Sequence, residues 1–150
     1  MPDLVTHLAG AYFAGKGLRI GRGLVIFSFG ALLPDIVSRP LHIFWPRTFP
    51  VAQALHSPAV IFLICWLISL FFRVDQRKNI FLLLIGGSIL HLLMDMLQKH
   101  IAGGYLWFFP FSCQGFSFGF LSPEGSLSFL PLTLLLVMLV YLFSQKKSGS

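Results

Sequence analysis

The chain has 150 residues, of which 56% are hydrophobic, 17 are Phe and only 11% are charged; soluble domains carry about 25% charged residues. With a mean hydropathy of +0.83, this excludes a soluble globular domain and requires an integral membrane protein, one helical domain over residues 1–143 with a polar cytoplasmic tail at 144–150. The net charge of +6 sits in short basic clusters between apolar runs, where it sets membrane orientation and gives no reason to expect nucleic-acid binding.

Residues 4–15 are small and apolar around His7. The run is too short to cross a core of about 30 Å comfortably, so it reads as a tilted or re-entrant helix. Ala9, Gly10, Ala14 and Gly15 suit close helix packing. No basic region followed by an apolar core and a small-residue cleavage site precedes it, so the first span is expected to act as its own insertion signal. Lys16, Arg19 and Arg22 then form a basic loop.

The next apolar run, 24–38, contains Leu32-Leu33-Pro34-Asp35-Ile36. Pro34 removes a backbone donor and crowds the preceding turn, so a kink or a helix end is expected there. Residues 39–50, with Arg39, Pro40, His42, Trp45, Arg47 and Pro50, read as an interfacial loop. A span is expected over Val51–Phe72, with His56-Ser57-Pro58 near its start, where Pro58 suits a first turn. Arg73, Asp75, Arg77 and Lys78 make a tight basic loop. The following helix, Ile80–Gln98, carries His91 and Asp95 on one face, since residues four apart are neighbours on a helix. Residues 99–126 are rich in Gly, Phe and Ser, and Trp107-Phe108-Phe109-Pro110-Phe111 suits an interfacial belt. The last span is Leu127–Phe143, followed by Lys146-Lys147. The fold expected is therefore all-α: a bundle of about four transmembrane helices plus the short N-terminal helix. The two cysteines, Cys65 and Cys113, form neither a disulfide framework nor a Zn-type pair.

The basic clusters at 16–22, 73–78 and 146–147 fall on one side if the spans alternate, and the positive-inside rule makes that side cytoplasmic. Rising 1.5 Å per residue, His7, Asp35, His56, His91 and Asp95 then lie roughly 14–26 Å above it, in the extracytoplasmic half. A carboxylate in hydrocarbon costs roughly 2.5–3.5 kcal/mol on insertion scales, so it needs a partner. Three His and two Asp suit a divalent metal, Zn²⁺ first and Mn²⁺ second. A structural hydrogen-bond layer or a proton or ion path through the same residues is the alternative. His42 and His100 read as loop residues, and Ser57 as a helix-start residue more than a nucleophile.

At these positions the chain resembles the bacterial membrane-bound metal-dependent hydrolase family of small inner-membrane proteins. The resemblance rests on Thr6-His7, Leu32-Leu33-Pro34-Asp35-Ile36, His56-Ser57, His91-Leu92-Leu93-Met94-Asp95 and Phe109-Pro110-Phe111-Ser112. It implies an inner-membrane location, His7, Asp35, His56, His91 and Asp95 as metal ligands, and a hydrolytic activity. Asp35 would act as general base, and a site at that depth suggests a lipid-linked ester or phosphoester among the membrane lipids. The chain departs from the family pattern in two places. Val37 stands where a second Asp is common, which argues against two metals. Gln53, Ala54 and Leu55 stand where Arg and Thr are common, which argues against a phosphate clamp.

Overall fold

The computed structural model describes residues 4–45, 47, 49–99 and 104–120. Five α-helices are described: α1 (Leu4–Gly17), α2 (Leu24–Phe44), α3 (Phe49–Leu55), α4 (Pro58–Leu70) and α5 (Val74–Met96), with a 3-10 turn at Gly21–Gly23. The expected last span, 127–143, the tail 144–150 and His100 lie outside the described residues.

Two of these helices are long and apolar enough to cross a membrane, those over Gly21–Leu41 and Val74–Met96. A third span exists if α3 and α4 count as one, bent by 63°. Of the expected bundle of about four spans, two or three are thus present among the described residues, and the fourth lies outside them. The helix expected over Val51–Phe72 breaks at His56-Ser57. Ser57 has an extended backbone and its hydroxyl accepts the Val60 N–H at 3.5 Å, with Pro58 at the first helical position. Ser and Pro therefore start a new helix instead of continuing the old one. Ser57 caps α4.

The largest seam is between α2 and α5, which run parallel. Phe27 meets Gly87, Gly30 meets Leu84, and Ala31 meets His91. On α5 the buried positions Ile80, Leu84, Gly87, His91 and Asp95 recur every three or four residues and form one face. Leu33 of α2, Ile61 and Cys65 of α4, and Ile80 and Leu84 of α5 form an apolar core beside this seam. Gly30 and Gly87 let the backbones touch, since a Cβ on either would strike the facing main chain. Such contact is how helices associate when surrounding lipid is as apolar as their own side chains. The outward face of α4, with Phe62, Leu63, Trp66 and Leu67 half-exposed, is suited to lipid.

Pro34 does not end α2, which continues ten residues further to Phe44 and takes in the expected loop residues Arg39 and Pro40. The reason is tertiary. The carbonyl that loses its partner to Pro34 is that of Gly30, four residues back. Ser88 Oγ of α5 donates to that carbonyl at 2.8 Å. Cys65 lies 3.6 Å from the same hydroxyl, whose proton is committed, so its thiol is the donor there. Ser88→Ala should therefore destabilise the fold by about 1–3 kcal/mol by stranding a buried carbonyl. A thermal midpoint in detergent checks this, and an unchanged midpoint would show that the carbonyl is satisfied otherwise.

Candidate metal centre

The helices bring their polar residues together beside the α2–α5 seam. His7 is in the first turn of α1, Asp35 is midway along α2, His56 is at the α3–α4 break, and His91 and Asp95 are in the last two turns of α5. All five are essentially excluded from the surface, none more than 3% exposed.

Asp95 is the hub. One oxygen lies 3.2 Å from His7 Nε2. The other lies 2.9 Å from His56 Nε2 and 3.3 Å from His91 Nε2. Asp35 Oδ1 faces His91 Nε2 at 3.9 Å. The rings of His7 and His91 stack with centroids 3.8 Å apart. Among the contacts these five side chains make with one another, only His56–Asp95 meets hydrogen-bond geometry; both nitrogens of His7, His91 Nε2, Asp35 Oδ1 and Asp95 Oδ1 have no hydrogen-bond partner among the described residues, while Asp35 Oδ2 is ion-paired with Arg39. Close approach without alignment is what a set of converging ligand atoms looks like, and buried polar atoms left without aligned partners are costly.

The outer contacts determine the tautomers. His91 Nδ1 lies 2.6 Å from the Ala31 carbonyl oxygen, which can only accept, so Nδ1 carries the proton. Ser38 Oγ donates its single proton to Pro34 O at 2.8 Å. The same oxygen lies 3.1 Å from His56 Nδ1, which must then be its donor. With Nδ1 as the donor, Nε2 of a neutral imidazole is a lone pair aimed at the carboxylate, and the 2.9 Å His56–Asp95 contact is a hydrogen bond only when that ring carries both protons. Lone pair against carboxylate is repulsive unless a proton or a metal ion stands between. Orientation of a ligating imidazole through its other nitrogen, by a carbonyl or hydroxyl, is the usual outer support of metal sites.

Two overlapping trios have ligand atoms within 4.8 Å of one another: His7, Asp35 and His91, and His56, His91 and Asp95. Two donors each about 2.1 Å from a shared ion stand at most roughly 4.2 Å apart. Closing the trios around an ion thus takes shifts of a fraction of an ångström to one ångström. Imidazole nitrogens with carboxylate oxygens fit Zn²⁺, and the same set with added oxygen ligands fits Mn²⁺.

Three site residues escaped the sequence analysis. Ser38 and Arg39 were read as the end of a span and the start of a loop. Because α2 continues, Ser38 reaches His56, and Arg39 Nη2 reaches Asp35 Oδ2 at 2.7 Å, one turn on. Their spacing from Pro34 and Asp35 was the signal, visible only to a reader who let the helix run through Pro34. The third, Tyr105, had no local signal. It lies on a short hairpin held by mutual 3.0 Å backbone hydrogen bonds with Phe116. Gly104 opens the hairpin with φ +133°, where a Cβ would strike the Phe116 backbone. Gln53 of α3 donates to Gly104 O at 3.1 Å and Phe118 N to Met96 O at 2.9 Å, which fastens the hairpin over the helix ends. Tyr105 is 5% exposed and its ring lies 5.5 Å from that of His56. Burial, then the negative charge of Asp95 and a hydrogen bond to it, hold the phenol well above its ordinary pKa. It therefore stays a neutral O–H donor to Asp95.

Residues 1–149 match the YdjM inner membrane protein family, and the chain belongs to that family. Searches of curated proteins and of solved structures each return no match.

Proposed function

We propose that this inner membrane protein is a metal-dependent hydrolase whose site lies at the extracytoplasmic end of the α2–α5 seam and acts on a lipid-linked ester or phosphoester. The observation that carries the reading is the pair of imidazoles, His56 and His91, whose Nδ1 protons are committed outward to Ser38 and to the Ala31 carbonyl while both Nε2 atoms face Asp95. His7, Asp35, His56, His91 and Asp95 would hold one divalent ion, Zn²⁺ or Mn²⁺ by the chemistry of the set. When bound, the ion supplies Lewis acidity toward an ester or phosphoryl oxygen and toward water. Asp35 is the candidate general base, because it lies at the edge of the trios with one oxygen toward His91 and the other on Arg39. Tyr105 and Gln53 hold the hairpin that keeps bulk water from the layer.

That the layer is built on two helices long and apolar enough to span a membrane supports a substrate drawn from the membrane.

The test is elemental analysis of the gently solubilised full chain beside His91→Ala, after reconstitution with Zn²⁺ and Mn²⁺. About one ion per chain, lost in the variant, is expected, and justifies a hydrolysis screen over lipid esters and phosphoesters. No metal in either protein sinks the reading.

One contact favours the competing account, a non-enzymatic layer that packs helices or passes protons. His56 Nε2 and Asp95 lie 2.9 Å apart, the distance of an imidazolium–carboxylate hydrogen bond. That account needs no metal, and substitution of Asp95 separates the two.

A further inference from the structure

The outer rim of the layer adds a charge that the ligand set alone does not explain. Arg39 is one helical turn beyond Asp35 on α2 and ion-pairs with it at 2.7 Å. Its side chain is 28% exposed, whereas Asp35 is 1% exposed, so the guanidinium bridges the buried layer and the outer surface.

Charge decides what such a rim is for. With neutral imidazoles, Asp35, Asp95 and Arg39 carry a net charge of −1. One divalent ion makes the set positive. A neutral carboxylic ester meets that excess only as its oxyanion develops in the transition state, whereas a phosphomonoester or phosphodiester is an anion already when it binds. A guanidinium has five N–H donors in a planar fork that matches phosphate oxygens two at a time, and such charged pairs are roughly twice as strong as neutral hydrogen bonds.

We infer that Arg39 is the anion-binding residue of the site, and that the substrate class is a phosphoester whose phosphoryl oxygens lie between Arg39 and the ligand cluster. This rests on the metal reading above and narrows it.

The experiment uses the full chain in detergent, loaded with Zn²⁺, and measures binding of inorganic phosphate and of dioctanoyl phosphatidic acid by calorimetry. Wild type is compared with Arg39→Gln and Arg39→Lys, and metal is counted in every sample. Phosphate binding at least tenfold weaker in Arg39→Gln, with metal retained, is the expected result. Arg39→Lys, which keeps the charge and loses the fork, should fall between. If Arg39→Gln sheds its metal because Asp35 is loosened, Arg39→Lys decides: weaker phosphate binding with full metal supports the assignment, and wild-type binding overturns it. Equal phosphate binding in metal-loaded wild type and Arg39→Gln overturns it, as does a wild type that holds metal and binds neither probe. A wild type without metal instead overturns the reading beneath. Tighter binding of the lipid than of phosphate identifies a membrane phosphoester as the source, and equal binding a soluble one.

Discussion

Asp95→Asn should empty the site as completely as Asp95→Ala, with metal falling from about one ion per chain to less than a tenth. Asparagine keeps the size of the side chain and one carbonyl acceptor, so a layer held by hydrogen bonds alone would tolerate it. A metal site would not. Asp95 faces all three imidazoles, with contacts of 2.9–3.3 Å. An amide rotated to offer its oxygen to His56 turns its NH₂ toward His7. The charge that offsets the cation is also gone.

Stability gives a second, independent measurement. A ligand that binds only the folded chain stabilises it by about 4 kcal/mol when present at a thousand times its Kd. Wild type should therefore melt markedly lower after chelation, and Asp95→Asn should melt at the same temperature with or without the chelator. In metal-free samples the variant should equal or exceed wild type, because a buried carboxylate facing lone pairs has been neutralised. A chelator-insensitive wild type together with a fully stable Asp95→Asn would establish the helix-packing account in place of the hydrolase.

The second large effect is expected at Gly87, which is itself no ligand and lies one helical turn before His91. A methyl group there would strike the Phe27 carbonyl and the Ala31 nitrogen, both main-chain atoms that cannot swing aside. Gly87→Ala should cost about 1–3 kcal/mol as overpacking, although Ala in place of Gly favours an isolated helix by about 1 kcal/mol. Gly87→Leu should prevent the native seam from forming. Gly86→Ala is the control, since its methyl would meet only the Phe27 ring, at 3.3 Å; a change of a few tenths of a kcal/mol is expected, typical of a tolerated substitution. Pushing α2 away from α5 also withdraws Asp35 and the Ala31 carbonyl that orients His91. Metal content should therefore fall in Gly87→Ala without the loss of any ligand. Wild-type melting and metal content in that variant would refute the close approach of the two backbones.

Much of this was legible in the residues themselves. Composition alone settles the membrane class, because a chain this apolar has too few charged residues to cover a soluble surface. The i, i+4 spacing of His91 and Asp95 places them on one face of any helix that contains them, whatever that helix packs against. Alternating the spans between the basic clusters brings His7, Asp35, His56, His91 and Asp95 to one layer, and the structure has them in mutual contact. Each of these inferences follows from local geometry or from the bilayer as a solvent.

The tertiary structure decided the rest. Whether α2 survives Pro34 depends on a hydroxyl on α5, because the carbonyl freed by proline needs a donor that α2 cannot provide. That single exchange carries Ser38 and Arg39 into the helix and so to the site. The α3–α4 break at Ser57 turns His56 inward, and a hairpin some fifty residues later lays Tyr105 beside it. Tautomers follow the same rule: His91 and His56 have Nε2 facing Asp95 only because Ala31 and Ser38, on another helix, occupy Nδ1. Sequence periodicity determines which face of a helix a residue occupies. Which atom on a neighbouring helix meets it is a property of the packed chain.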